Sequence, residues 1–314
     1  MNEIAASYRK VFYDLRPAKQ VERRMLLDAF QIMSVAGFSI RDYQYTGMGS
    51  IYFVDYSMLH RLLGMRRFLS AEIDRSVTKR VSFNRPFDNV VIKMRAIGDL
   101  ISELDRDLKH ILWLDYDFRM AKVILEDTAA AAHHLPTGSI LMVTVDVEPP
   151  TKNDDPDEWM RHFQTETRPF NDFRWTVQSF ARSELAETNA GVIMNAIRNG
   201  IAGRPNIRFL PLFKFDYADG HQMITIGGVI GGDAEQRMLD ACDFRHAPYI
   251  RRLITDPFFT IRVPRLTRKE RLYLDRYMPS TENWTPTEFE LSKDEVAAYR
   301  EIYRYYPSYA ELLL

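Results

Sequence analysis

The sequence predicts an α/β fold: a doubly wound, mostly parallel sheet of seven strands closing in an antiparallel hairpin, with α-helical additions at both ends of the chain. Three observations carry this expectation. Short β-type apolar runs alternate with segments of helical period between residues 43 and 232. A glycine-bearing turn, TGMGS at 46–50, separates the first strand from the next helix. Finally, NIRFLPLFKFDYADGHQMITIGGVIGG is two β-rich runs joined by DYADG, which is hairpin chemistry and requires one strand to run against the rest.

The elements follow in order. Val21, Met25, Ala29, Ile32 or Met33 and Ala36 fall on one helical face, and Gly37 stops that helix. The helix after the glycine turn points Phe53, Val54, Met58, Leu59 and Leu62 inward and ends at Gly64. Strands are expected at 67–72, 90–94, 110–115 and 139–146, with helices over 97–108 and 119–134. Beyond Gly232 the pattern turns helical, and TRKE from Thr267 to Glu270 and SKDE from Ser292 to Glu295 read as capping boxes. The last helix stacks Val296, Tyr299, Ile302 or Tyr303 and Tyr306, a packing surface for the sheet or for a second subunit of a homodimer. The expected division is a helical cap or lid at 1–40, a catalytic domain at 41–232 with an inserted lid at 150–172, and an α-rich extension at 233–314.

Composition narrows the function. A formal charge of −1 over 314 residues gives no global nucleic-acid signal. Cys242 is the sole cysteine, so neither an internal disulfide nor a zinc pattern can be built. MNEIAASYRK lacks an apolar signal segment and no apolar run approaches the ~18 residues a membrane span needs; a soluble, cytoplasmic protein without membrane partners is the expectation.

The chemistry is concentrated from Tyr43 to Asp74. Gly47 and Gly49 let backbone approach a ligand, Ser50 can cap the following helix, and Glu72 ends the next strand about 20 residues beyond the turn, where a carboxylate meets ribose hydroxyls. Tyr52 stands where a dinucleotide fingerprint wants its third glycine, which disfavours NAD and FAD. TGMGS followed by SAEID resembles motifs one and two of class I S-adenosylmethionine (SAM) methyltransferases, and five βα strands plus a hairpin is that family's layout, over roughly 43–232.

The resemblance implies roles. Thr46, Gly47, Met48, Gly49 and Ser50 would cradle the amino-acid end of SAM, Glu72 would accept from the ribose, and Ile73 would pack on adenine. Asp99 is the candidate for the adenine amino group, although it comes a few residues late and Arg95 holds the usual position. At the fourth strand's end, Asp115 and Asp117 would lie near the cofactor's methyl group, Asp115 contacting the cofactor too, with Asp146 and Glu148 at the next strand's end. Carboxylates on adjacent strand ends suit Mg²⁺, with Asp115 and Asp146 as ligands, as in the catechol and caffeoyl-CoA type of O-methyltransferase; Val147 replaces the Asn of that pattern. Asp115, Asp117 and Asp146 are thus the catalytic candidates. The N/D-P-P-Y/F signature of amide and base-nitrogen methylation is absent, and no cysteine ends a strand.

The implied function is methyl transfer from SAM to an oxygen of a small-molecule or protein-borne acceptor. Two alternatives stand beside it: methylation of RNA or a nucleotide guided by Arg9, Lys10, Arg16, Lys19, Arg23 and Arg24, and a SAM-binding interaction or sensing subunit without turnover. The basic run reads first as a solvated helix face, or, with Tyr8, Tyr13 and Arg16, as a lid on the cofactor. The insertion after the fifth strand could close Trp159 or His162 over a substrate, and its Asp154, Asp155, Asp157 and Glu158 would repel a polyanion. The other histidines, His221 among them, show no ligand spacing and read as structural or exposed.

Overall fold

The computed structural model describes residues 16–49, 51–149, 155–171 and 175–307. Its sheet is built from β1 (Gln44–Met48), β2 (Arg67–Ala71), β3 (Val90–Lys93), β4 (His110–Arg119), β5 (Ser139–Asp146), β6 (Arg208–Ala218), β7 (Gln222–Gly231) and β8 (Phe259–Ile261). Their order is β3-β2-β1-β4-β5-β7-β6-β8. β1 to β5 run parallel, and β7 lies antiparallel to both β5 and β6, as the DYADG hairpin requires. The sheet differs from the sequence expectation by one strand: among the described residues it has eight, not seven. β8, from the segment read as α-rich, adds in parallel to β6 and covers what would have been an open hairpin edge.

Helices coat both faces. On one side lie α1 (Pro17–Val35), α2 (Val54–Leu63) and α3 (Thr78–Asn84), packed on Tyr45, Trp113, Met142 and Phe213. On the other lie α4 (Ile97–Ile101), α5 (Lys122–His134) and α7 (Leu185–Ile201), packed on Leu112, Leu114, Val143 and Val145, with α6 (Pro156–Glu166) at the carboxyl ends of β4 and β5. α8 (Asp233–Asp240), α9 (Arg268–Asp275) and α10 (Lys293–Ile302) complete the chain, and both capping boxes form. Val296, Tyr299 and Ile302 of the expected stripe are buried within this chain, while Tyr303 and Tyr306 are half-buried and Tyr305 is buried beside them, so most of the stripe serves internal packing. Among the described residues no helix is long and apolar enough to cross a membrane.

Several boundaries move for local reasons. The helix expected over 97–108 stops at Ile101, and a few residues on the Asp105 carboxylate accepts the Asp107 N–H (2.9 Å) and turns the backbone. Leu62, expected inward, is exposed because the buried seam of α2 runs through Tyr56, Leu59 and Leu63. β4 continues past Asp115 to Arg119 through a register shift against β5.

α1 begins without a cap of its own: Pro17 occupies its first turn and Arg16 gives no capping bond. The cap comes from the far hairpin. Asp219 Oδ1 accepts from Ala18 N (3.0 Å) and Oδ2 from Lys19 N (2.9 Å), satisfying two amides left open by the helix start. Asp219→Ala should therefore lower stability by about 1–2 kcal/mol, with Asp219→Asn losing less, as read by urea unfolding. Unchanged stability in the alanine variant would mean that the hairpin does not anchor α1.

Candidate active site

The turn after β1 lies tight against the end of β2. Gly49 N–H donates to Ala71 O, and a Cβ on Gly49 would stand 2.6 Å from that oxygen and 2.9 Å from Glu72 Cβ, so no side chain fits. Tyr56, in the first turn of α2, holds the turn from below by donating to Gly47 O (3.1 Å). α2 is entered through Phe53, buried and left-handed at φ 49°, a conformation that costs a bulky residue about 1–2 kcal/mol. Phe53 supplies no side-chain cap, so the first amides of α2 stay open to an anionic group. Ser50 lies outside the described residues; Thr46, Gly47 and Met48, expected in the turn, are the last residues of β1, because they pair with β2 and β4, and Gly49 follows them.

Glu72 stands beside this turn at the β2 end. Burial raises its carboxyl above the usual range, opposed by the Asp74 N–H that donates to Oε1 (2.9 Å). Ile73 is exposed next to it, a large apolar side chain with a free face. Asp99 is exposed in the first turn of α4, and Arg95 folds onto that helix, donating to Asp99 O (3.1 Å) and Glu103 Oε1 (2.8 Å).

The basic run is not a solvated face. Lys19 has no exposed surface: Nζ donates to Asp115 Oδ1 (2.8 Å) and Tyr217 OH (3.1 Å), stands 2.9 Å from Glu22 Oε2, and lies 4.1 Å above the Trp113 ring. Arg23 is equally interior, its Nε 2.5 Å from Asp55 Oδ1 in the first turn of α2, and its buried Nη1 has no partner among the described residues. Arg9, Lys10, Tyr8 and Tyr13 lie outside the described residues. The signal in the sequence was that positions 19, 22 and 23 continue the apolar stripe of α1; charges on a buried stripe imply internal pairing.

Burial by itself would raise the Asp115 carboxyl, but the Lys19 ammonium, with Arg16 and Arg23 behind it, outweighs this and holds it below the usual range. Burial likewise opposes the charge on Lys19, and Asp115 and Glu22 more than restore it, so its amine is raised. Glu22 is raised by burial against the pull of Lys19.

Asp146 ends β5 on the same face as Asp115. Its Oδ1 accepts from Glu148 N (2.6 Å) and its Oδ2 lies 3.2 Å from His221 Nδ1, on the β6–β7 hairpin. This pairing was not legible in the sequence, because nothing in DYADGH says which strand end the hairpin tip meets. Asp146 also walls a cavity of about 170 Å³ between the ends of β4 and β5 and helices α6 and α7, with Trp159, His162 and Asn189 among its lining. Asp117 points to solvent and joins neither group.

The residues present do not fit the expected Mg²⁺. Among the described residues no three His, Cys, Asp or Glu side chains gather in a metal-binding group. Asp115 already has the Lys19 ammonium where a cation would sit, and Asp146 is turned to His221 and the Glu148 amide.

The strand order 3-2-1-4-5-7-6, the antiparallel seventh strand and a glycine turn beside an acidic strand end define a class I SAM-dependent methyltransferase. The chain belongs to the family whose model, described as "Putative O-methyltransferase", matches residues 11–314. No curated protein matches. Similar solved structures include Trm1 from Pyrococcus horikoshii with S-adenosyl-L-methionine, at 14% identity, over 69% of this chain and 58% of that one, TM-score 0.42. The plantazolicin methyltransferase BamL, with a desmethyl analogue and SAH, is 11% identical over 65% and 70%, TM-score 0.38. The N-methyltransferase NodS from Bradyrhizobium japonicum is 6% identical over 65% and 97%, TM-score 0.32.

Replacing Lys19 tests the buried charge cluster. A folded carboxyl held low contributes stability that is present at neutral pH and lost as pH falls through its folded value; without the ammonium, Asp115 and Glu22 become raised acids that destabilise until protonated. Lys19→Met should therefore cost about 2–4 kcal/mol at pH 7, and this deficit should narrow as the pH is lowered toward 4.5. Denaturant titrations at both pH values read it, and a deficit independent of pH would contradict the pairing.

Proposed function

We propose that the chain transfers a methyl group from SAM to an oxygen of a small or protein-borne acceptor held at the carboxyl ends of β4 and β5. The observation that carries this reading is Asp146, which walls the cavity there and lies 3.2 Å from His221. When bound, SAM supplies an electrophilic methyl on a sulfonium sulfur. The residues fit it: the side-chain-free approach at Gly49 and the Glu72 carboxylate suit the ribose side, and the unpartnered Arg23 Nη1 with the open amides of α2 suits an anionic carboxylate.

A hydroxyl is a poor nucleophile until its proton leaves. His221 Nε2 can take that proton as general base while Asp146 orients the ring through Nδ1 and stabilises the imidazolium that forms. Asp115 is unsuited to the task, since Lys19 keeps it ionised and weakly basic; its role is a fixed negative charge near the transferring methyl. Trp159 and His162 of α6 roof the cavity and exclude water, the remaining enhancement coming from holding oxygen and methyl in line. The burial of Lys19 and Arg23 takes two of the six basic side chains out of reach of a nucleic-acid backbone, which favours the small or protein-borne acceptor.

His221→Gln and Asp146→Asn should each lower kcat by roughly 10²- to 10⁴-fold with SAM affinity, read by calorimetry, unchanged. Full turnover in His221→Gln would remove the base assignment. Turnover should survive EDTA, and a rate abolished by chelation would restore the metal reading.

A further inference from the structure

The lining of the cavity beside Asp146 includes one residue that the proposed mechanism leaves unused. Asn189, on α7, is 2% exposed, and its Oδ1 is buried with no hydrogen-bond partner among the described residues. Its Nδ2 donates to Leu185 O (2.8 Å), one helical turn back. That bond fixes the amide, because a flip would set Oδ1 against another carbonyl oxygen. Asn189 is one of the residues lining the cavity, and a buried acceptor left without a donor is costly. The ligand must bring a donor.

The surrounding wall sets the rest of its chemistry. Met120, Val147, Phe163 and Leu185 are apolar, and Trp159 stacks on Phe163 with ring centroids 5.6 Å apart and planes at 18°. About 170 Å³ is the room taken by a single benzene-sized ring, judged against apolar cavities of ~150 Å³ that bind benzene. The remaining polar wall is rich in acceptors: Asp146 and Glu148 add negative charge, and Arg119 Nη2 turns to the Pro149 carbonyl at 3.4 Å. An anionic ligand would meet these carboxylates.

We propose that this cavity is the acceptor subsite and that Asn189 is its specificity-determining residue, selecting a single uncharged aromatic ring whose hydroxyl donates to Oδ1. The proposal rests on the methyl-transfer reading for the word acceptor, while the ring subsite itself stands on the cavity. Selection arises because a hydroxylated ring satisfies Oδ1 and a ring of equal size with a methyl in its place leaves it unpaired.

The test is equilibrium binding of phenol, toluene and benzoate to the full chain, followed by ligand-observed NMR. Phenol should bind ~10-fold or more tightly than toluene, the ratio one satisfied buried acceptor gives, and benzoate should not compete. Asn189→Leu should remove the phenol preference and leave toluene as tight or tighter. Equal affinities for phenol and toluene in the parent, or an undiminished preference in the variant, overturn the proposal. If Asn189→Leu does not fold, Trp159→Ala replaces it: phenol and toluene must weaken together, and unchanged binding of either overturns the subsite. SAM calorimetry on the same samples separates the two readings. Loss of selectivity with SAM still bound fells the subsite alone, whereas selective phenol binding without SAM binding fells the methyl-transfer reading alone.

Discussion

A single ammonium group, Lys19 Nζ, organises the face of the sheet that α1 covers. It enters from α1, is wholly removed from solvent, and is shared by Asp115 on β4, Glu22 on its own helix and Tyr217 on β6, above Trp113. A charge so placed is tolerable only if its partners are held as firmly as it is, since a buried ion that loses a partner costs several kcal/mol. The helix cap from Asp219, the Arg23–Asp55 pair and the hydroxyl chain from Trp113 through Thr144 to Thr225 (2.9 and 2.8 Å) are the local arrangements that fix them. The fold of the N-terminal helix and the electrostatics around Asp115 are thus one problem with one solution.

This division of labour separates two carboxylates that look equivalent in the chain. Asp115 and Asp146 end neighbouring strands and point to the same face, yet one is matched to a permanent cation and the other to a titratable imidazole. The first is a charge held by its partner; in the proposed reaction the second supports a proton relay. Environment, rather than residue type, assigns the roles.

Most of the sheet was legible because period-two and helical patterns report burial directly. Gly37, Gly64 and the DYADG turn marked ends where backbone conformation leaves few choices, and Gly37, Gly64 and Gly220 all have positive φ. What the sequence hid were pairings across long separations. β8 spans only Phe259–Ile261, too short to show alternation, and its partner on β6 lies more than forty residues earlier. Lys19 and Arg23 read as surface because charge usually means solvent, and only their position on the stripe of α1 argued otherwise. His221 was invisible for a different reason: the two ends of a loop do not reveal where its tip lands. Asp117 erred the other way, since β4 carries on past the point where the site ends.

The capping of α1 by Asp219 ties together residues 200 and 201 positions apart. During synthesis the helix precedes the hairpin by that whole length, and at roughly 5–20 residues per second this is a wait of about 10–40 seconds. Until then Lys19 lacks Tyr217 and the start of α1 lacks its cap, although Asp55 and Asp115, the partners of Arg23 and Lys19, come only 32 and 96 residues later. Residues 44 to 146 can close their own parallel pairings meanwhile, because those strands are linked locally. The charge cluster around Asp115 is therefore completed last, by Tyr217 and Asp219, so a nascent chain carries it unfinished until the hairpin has left the ribosome.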